Sequence, residues 1–364
     1  MAERGVKPQI STTRRTLLRA ARALPSPLLP DDYLALINPP WSTRELRGKI
    51  ESIDSETEDA ATVVIRPGYE WMGHQPGQHL RIGLDIDGVR YWRAYSLTSD
   101  PERADGCISI TIKNVDEGTV SPYLVRRGRP GTIVSLGGVE GTFVLPDTLP
   151  EKMLFISAGS GVTPIMTMLR HLEGDGALTD VVHLHSARSA DEVIFGEHLR
   201  GMDERHDGYT LHEQHTTDGG RLTPDDLDEL VPDWRERETF ISGPAELLDA
   251  MIEHWEQNGD CERLWMERFQ PKIGGGEEGD GGTIHFCASN GEAESDGSTP
   301  ILVAGEEAGM TLPFGCREGI CHTCVGELRS GQVRDLRSGD VYGQEGEMIR
   351  TCISAPEGPV EIEL

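Results

Sequence analysis

The hydrophobic pattern of this chain changes period once, and the change divides it. From residue 46 to 146 apolar positions come in short β-rich runs, "ATVVIRP", "GQHLRIGLDID", "VRYWRAYSLT", "CISITIKNV" and "GTIVSLGG", each closed by turn residues. Short strands at close spacing predict an antiparallel β-barrel. Beyond it, "MLFISA" is a continuous apolar run, and Ile165, Met168, Leu169 and Leu172 follow at i, i+3, i+4 and i+7. "VVHLHS" and "TFIS" are further buried-strand candidates, and after Pro244 a second helix aligns Leu248, Met251, Ile252 and Trp255. Strands alternating with helices predict a parallel α/β sheet. "GGGEEGDGG", residues 274–282, then reads as a flexible tether with a mean reach of about 15–18 Å. The expected divisions are a basic N-terminal extension over 1–45, the barrel over 46–147, the α/β domain over 148–272, a Gly/acidic linker over 273–282 and a small domain over 283–364.

That last domain carries "FGCREGICHTC", residues 314–324. Four residues separate Cys316 from Cys321, two separate Cys321 from Cys324, and Cys352 follows after 27 more. This is the plant-type [2Fe–2S] spacing. A compact loop aims three thiolates at the cluster while the fourth arrives from elsewhere, and Gly315 and Gly319 let the backbone wrap closely and present amides to the sulfurs. Zinc sites usually pair two C-x-x-C knuckles, and this chain has one. A Rieske centre needs a Cys-x-His pair that is missing. His322 reads as a loop residue, and the solitary Cys107, Cys261 and Cys287 as buried thiols. Such a cluster moves one electron at a time, so the chain needs a source of single electrons.

The formal net charge of −28 argues against a nucleic-acid partner. Residues 1–50 hold nine Arg/Lys against four Asp/Glu, a net of +5, which leaves −33 on the rest. Leu17, Leu18, Ala21 and Leu24 lie opposite Arg14, Arg15, Arg19 and Arg22 as a short basic amphipathic helix. It either packs on its own protein or meets an anionic membrane surface or an acidic partner. "TTRRTLLRAARALP" superficially resembles a twin-arginine export signal, but Arg19 and Arg22 interrupt its apolar region and no small-residue cleavage site follows. Seven cysteines, four of them in one pattern, suit a reducing compartment. A cytoplasmic protein is expected, peripheral at the inner face of the cell membrane if the basic helix binds there. No apolar stretch approaches the roughly 20 residues that cross a bilayer.

Three segments suit nucleotides. "RAYSLTS", Arg93 to Ser99, ends a predicted barrel strand and by itself could be no more than an alternating strand. "GTVS", Gly118 to Ser121, opens a helix-like stretch, where backbone N–H groups and the positive helix end suit a phosphate. "AGSGVTP", Ala158 to Pro164, joins a buried strand to an amphipathic helix as a pyrophosphate site would, although Pro164 stands where the third glycine of G-x-G-x-x-G belongs. A turn that only connects is the competing reading. After "VVHLHS", Ser186 and Arg188 replace the acid that would bind a ribose hydroxyl; a cation and a hydroxyl suit a 2′-phosphate, favouring NADPH over NADH. The bland alternative is a solvated loop arginine. "HEQH", His212 to His215, is the nearest approach to an oxygen-activating metal site and lacks a third ligand.

In this order the segments resemble the ferredoxin–NADP reductase superfamily. Arg93, Ala94, Tyr95 and Ser96 match its R-x-Y-S flavin motif, Gly118, Val120 and Ser121 its flavin-phosphate motif, and Gly159, Gly161, Thr163 and Pro164 its nicotinamide motif. Ser242, Gly243 and Pro244 sit where many members carry Cys-Gly-Pro, and Phe269 in "ERF" matches the aromatic placed against the flavin. The resemblance implies a multidomain protein with an antiparallel β-barrel flavin domain, an α/β parallel-sheet nicotinamide domain and a β-grasp ferredoxin domain. It implies FAD with Arg93 on its phosphates and Tyr95 and Ser96 along the isoalloxazine, and NADPH on Gly159, Gly161 and Thr163. It further implies catalytic roles for Ser96, Thr163, Ser242 and Phe269, and a [2Fe–2S] cluster on Cys316, Cys321, Cys324 and Cys352.

The fused ferredoxin narrows the resemblance to bacterial one-chain reductases that feed oxygenases and desaturases. "LLPDDYLALINPPWSTRELRG" and "VPDWRERETF" are similar to the NADPH-dependent partner of a bacterial membrane stearoyl-CoA desaturase. The expected function is electron transfer from NADPH through FAD and the cluster to a membrane fatty acyl-CoA desaturase. The alternatives are the reductase component of a soluble ring-hydroxylating oxygenase and a redox-sensing iron–sulfur protein. Ser242 departs from the family cysteine, and a hydroxyl is smaller and less polarizable than a thiol. Ser242→Cys is therefore expected to accelerate hydride transfer from NADPH in stopped-flow flavin bleaching; equal rates would discard this idea.

Overall fold

The computed structural model describes residues 45–86, 88–115, 119–269, 279–310, 312–313, 319, 322 and 324–364. The segment expected to form a basic N-terminal helix, Gly118, Cys316, Cys321 and much of the glycine tether lie outside the described residues. The chain forms two compact units, one holding the residues up to Arg268 except Tyr91–Ala94, and the other Tyr91–Ala94 together with Phe269–Leu364.

The first unit opens with β1 (Leu46–Ser55), β2 (Ala60–Pro67), β3 (His79–Ile86), β4 (Val89–Ser96), β5 (Ile108–Lys113) and β6 (Ile133–Glu140). They form one sheet in the order β4-β3-β6-β1-β2-β5. Leu97, directly after β4, bridges Ile110 of β5 and closes the sheet into the expected barrel. β1 is not among the runs singled out from the sequence. A bulge between Ile50 and Ser52 breaks its alternation, leaving Ile50 and Ile53 three apart among charged residues. α1 (Val120–Arg127) packs Val120 and Leu124 against β2 and β5.

The same unit continues with β7 (Met153–Ala158), α2 (Val162–Gly174), β8 (Val181–Ala187), α3 (Gly196–Arg205), β9 (Tyr209–His215), α4 (Pro224–Leu230), β10 (Glu238–Ser242), α5 (Ala245–Asn258) and β11 (Leu264–Glu267). The strands are all parallel, in the order β11-β10-β7-β8-β9. Phe155, Phe240, Met168 and Leu199 share the core with α2 and α3, while Leu154, Ile156, Ile241, Leu248 and Trp255 share the other with α4 and α5. Coverage of both faces explains the unbroken apolar run of β7. Phe143, just beyond the barrel, enters the first of these cores and meets the Phe240 ring edge-on at 5.9 Å. β9 is missing from the predicted strands because its "HEQH" half is polar, as an edge strand tolerates.

Part of "VPDWRERETF" has a packing role. Trp234 is buried 4.3 Å from Trp255, and Arg237 reaches Asp233 at 2.9 Å and Asp180 at 2.7 Å. The solitary thiols require a correction. Cys107 is buried as expected, but Cys261 is exposed in a surface turn and Cys287 is half-buried in the turn after a strand.

The second unit contains β12 (Gly282–Phe286), β13 (Gly291–Ser295), α6 (Ile301–Glu307), β14 (Val325–Ser330), β15 (Val333–Asp335), β16 (Val341–Tyr342), β17 (Met348–Arg350), β18 (Ser354–Pro356) and β19 (Val360–Glu363). The main sheet runs β13-β12-β19-β14-β17, with β12 parallel to β19 and the other pairs antiparallel. Ile301 and Leu302 of α6 join Ile284, Phe286, Ile349 and Ile362 in its core. A mixed sheet wrapped on one helix is the expected β-grasp. Gly281 bridges Glu357, and Gly282 opens β12, so the end of the expected linker is structured.

The α/β core also buries polar groups. Ser157 Oγ lies 2.8 Å from His183 Nε2 and 2.7 Å from His185 Nδ1, and His183 Nδ1 lies 2.9 Å from the Tyr209 hydroxyl. Burial holds His183 well below its ordinary value and His185 down to about 4 from 6.5. The unfolded chain therefore binds protons that the folded chain excludes, so stability declines as pH falls from about 6.5 toward 4. For His185 this amounts to about 3 kcal/mol. Melting curves across that window are expected to show a shallower acid loss for His185→Gln than for the parent; parallel losses would contradict the assignment.

Candidate functional site

Open parallel sheets bind ligands beyond the carboxyl ends of their strands. There β7 passes into a tight turn, Gly159–Gly161, and then into α2. Gly159 has φ +53°, which glycine adopts without strain. A Cβ on Gly161 would lie 2.2 Å from the Ser242 carbonyl oxygen, so the turn rests directly on the end of β10. Thr163 Oγ1 donates to Ser160 O at 2.9 Å and tightens the turn. Gly243 packs against Ala158, and Pro244 leads into α5. Ser186 is buried in register with Ala158, while Arg188 is 77% exposed and 3.8 Å from Glu192. Gly159, Gly161, Thr163, Ser186, Ser242, Gly243 and Pro244 thus gather at one end of the sheet.

Ser242 Oγ is buried with no hydrogen-bond partner among the described residues. Such a group costs about 1–3 kcal/mol unless something satisfies it, which fits a ligand's polar edge. Ser242 belongs to a row in register across all five strands: Glu267, Ser242, Ser157, His185 and Glu213. Burial raises Glu267 to about 7, so its carboxyl is neutral over part of the physiological range. His79 Nδ1 of β3 lies 3.8 Å from it. Sequence reasoning used Phe269 from "ERF" and passed over Glu267; the available signal was a carboxylate closing the apolar strand "LWME". Glu213 of "HEQH" is engaged by Arg200 at 2.9 Å and lies 3.3 Å from His215.

On the barrel, Arg93, Ala94, Tyr95 and Ser96 occupy the end of β4. Ser96 is buried, the other three are half-buried, and Arg93 Nη1 donates to Trp92 O at 2.8 Å. Val120 and Ser121 start α1, where Ser121 Oγ accepts from Val115 N at 3.2 Å and ties the helix start to the strand before it. Phe269 is half-buried.

In the second unit Cys324 and Cys352 are both buried, with their Sγ atoms 3.0 Å apart. Thr351 holds them together: its N and Oγ1 both donate to Cys324 O, at 3.1 and 2.8 Å. Gly319 N donates to Cys352 Sγ at 3.2 Å, with φ +72° and a missing Cβ that would lie 2.4 Å from Ile353. Adjacent buried sulfurs, one receiving a backbone amide, fit iron–sulfur ligation.

Three family models match in succession: an oxidoreductase FAD-binding domain over 49–145, an oxidoreductase NAD-binding domain over 155–260 and a 2Fe-2S iron-sulfur cluster binding domain over 285–357. An NADPH oxidoreductase of Mycobacterium tuberculosis is 45% identical, covering 96% of this chain and 92% of the relative. The glycine betaine monooxygenase reductase subunit of Pseudomonas aeruginosa is 30% identical, covering 79% and 87%. The solved structure of phthalate dioxygenase reductase shares the fold at TM-score 0.59 and 20% identity, over 88% of this chain and 98% of that one. Fold and site together define an electron-transfer flavoprotein with its own ferredoxin. The chain belongs to the NAD(P)H oxidoreductases of ferredoxin reductase type, with FAD, NAD(P)H and a [2Fe–2S] cluster as cofactors.

Gly161→Ala would drive the turn off β10. It is expected to lower kcat/KM for NADPH by about tenfold or more while leaving flavin content unchanged. Ferricyanide reduction measures this, and unaltered kinetics would remove the turn from the nucleotide site.

Proposed function

We propose that the protein draws electrons from NADPH and delivers them singly to a membrane fatty acyl-CoA desaturase. The observation that carries the donor side is the gathering of the Gly159–Thr163 turn, Ser186 and the unsatisfied Ser242 hydroxyl at one end of the sheet. NADPH over NADH is supported by Arg188, exposed two residues beyond Ser186, and by a 45% identical relative named an NADPH oxidoreductase.

Bound flavin would accept electrons in pairs and release them singly, the form the cluster carries. The chain supplies order and surroundings. Arg93, Tyr95 and Ser96 would hold the flavin, with Gly118, Val120 and Ser121 at its phosphate. Gly159, Gly161 and Thr163 would hold the pyrophosphate side of the nucleotide. Ser242 would direct a hydroxyl at the nicotinamide and Phe269 would cover the flavin ring. Cys316, Cys321, Cys324 and Cys352 would ligate iron. A neutral Glu267 beside Ser242 adds no negative charge to the pocket.

The acceptor rests on the resemblance of residues 28–48 and 231–240 to a desaturase reductase; within the second stretch, Trp234 and Arg237 also serve packing. The basic segment around Arg14–Arg22 would face the anionic membrane surface. No helix among the described residues is long and apolar enough to cross a membrane. A soluble oxygenase is the second reading, favoured by relatives named as monooxygenase reductase components. Reconstitution decides between them. With NADPH, the protein is expected to support double-bond formation by a membrane acyl-CoA desaturase; turnover only with a soluble ring-hydroxylating oxygenase would reverse the order.

A further inference from the structure

The segment Leu97–Asp100 lies outside the glycine turn, yet three parts of the first unit meet on it. It closes the barrel: Leu97 bridges Ile110, Thr98 N donates to Ser109 O at 2.8 Å, and the Thr98 and Ser109 hydroxyls pair at 2.9 Å. It follows Ser96 directly along the chain. It is also gripped by α2, the helix that the glycine turn opens. Thr167 Oγ1 donates to Ser99 O at 2.8 Å, the Arg170 guanidinium donates to Thr98 O, and His171 Nδ1 lies 3.4 Å from Asp100 Oδ1. His74 Nε2 approaches the same Ser99 carbonyl at 3.1 Å.

Two features distinguish this contact from ordinary packing. Thr167, Arg170 and His171 stand at i, i+3 and i+4, so one stripe of the helix makes two hydrogen bonds and the third approach. Two of the acceptors are main-chain carbonyls, which cannot change rotamer to follow a displaced helix. Arg170 is half-buried, its guanidinium lies 5.1 Å from the Phe195 ring centroid, and among the described residues no carboxylate lies within ion-pair distance of it, Glu56, Glu173 and Asp100 acting on it from farther away. An apolar side chain would cover this boundary at lower desolvation cost. Nearby, Gly77 has no room for a Cβ, which would lie 2.0 Å from Phe143 O and 2.5 Å from Met168 Cε.

We propose that Thr167 and Arg170 are positioning residues that set how closely the nicotinamide ring approaches the flavin. The proposal rests on the assignment of Arg93–Ser96 to the flavin and Gly159–Thr163 to the dinucleotide. Ser99 lies three positions beyond Ser96, where the flavin strand ends, and Thr167 four positions beyond Thr163, so the bonds tie the two cofactor segments over a short path. Hydride transfer demands reacting atoms about 3–3.5 Å apart, and misplacement by about 1 Å can cost about 100-fold in rate.

The test uses full-length holoenzyme carrying Thr167→Val, Thr167→Ser, and the double change Thr167→Val with Arg170→Met. The readouts are flavin content, melting temperature, NADP+ affinity, the long-wavelength charge-transfer absorbance of reduced enzyme with NADP+, and the single-turnover rate with its deuterium isotope effect. Thr167→Val is nearly isosteric and keeps the proposal testable if the double variant fails to fold. Flavin content is expected to stay complete and NADP+ affinity within about twofold. The charge-transfer band should weaken and the rate fall about tenfold or more, with Thr167→Ser restoring both. A lower melting temperature with unchanged band and rate would overturn the proposal, as would an affinity that falls in step with the rate. Absence of both nicotinamide oxidation and the band in the parent would instead reject the underlying cofactor assignment.

Discussion

Where Gly161 would carry a side chain, the carbonyl of Ser242 already stands. This close approach of the glycine turn to the end of β10 has consequences on both sides. It lets the N-terminus of α2 descend onto the sheet, where backbone N–H groups and the helix dipole favour phosphate. It also brings Ser242 and the row behind it beneath the same crevice. A larger residue at 161 would lift the helix, and with it the stripe that grips the barrel seam.

The middle of the polar row, Ser242, Ser157 and His185, is buried. Ser157 Oγ lies within hydrogen-bond distance of both imidazoles, and burial keeps the two histidines neutral. Glu267 behaves oppositely with pH. Its folded-state value lies above its ordinary 4.5, so the folded chain holds a proton that the unfolded chain has released. Its effect is a loss of stability as pH rises from about 4.5 through 7, whereas the histidines lose theirs on acidification. The carboxyl and the imidazoles therefore limit the α/β domain from opposite directions.

The ferredoxin unit uses a different device. Its two described cysteines of the motif are placed by bonds that involve the main chain: Thr351 N and Oγ1 both donate to the Cys324 carbonyl, and Gly319 turns with positive φ to reach Cys352. Rigid backbone around the sulfurs suits a centre that changes charge by one electron with little rearrangement.

The fold class was legible because period is a local property: alternation marks a barrel strand, and unbroken apolar runs followed by i, i+3, i+4 spacing mark a doubly covered parallel sheet. The iron–sulfur domain was legible for the same reason, since the cysteine spacing that signals it lies within one short loop and a single later cysteine. β1 escaped because its bulge shifts the alternation, and β9 because an edge strand is half polar. The exposure of Cys261 was invisible, since burial depends on neighbours that sequence does not name. Tertiary structure alone aligned Glu267, Ser242, Ser157, His185 and Glu213, residues from five strands that become neighbours through parallel register. It alone set Thr167 and Arg170 on the barrel seam. Sequence determined which chemistry the chain carries, because motifs are local; packing decided where its parts meet, because those contacts join residues far apart along the chain, such as Arg170 and Thr98 at a separation of 72 positions.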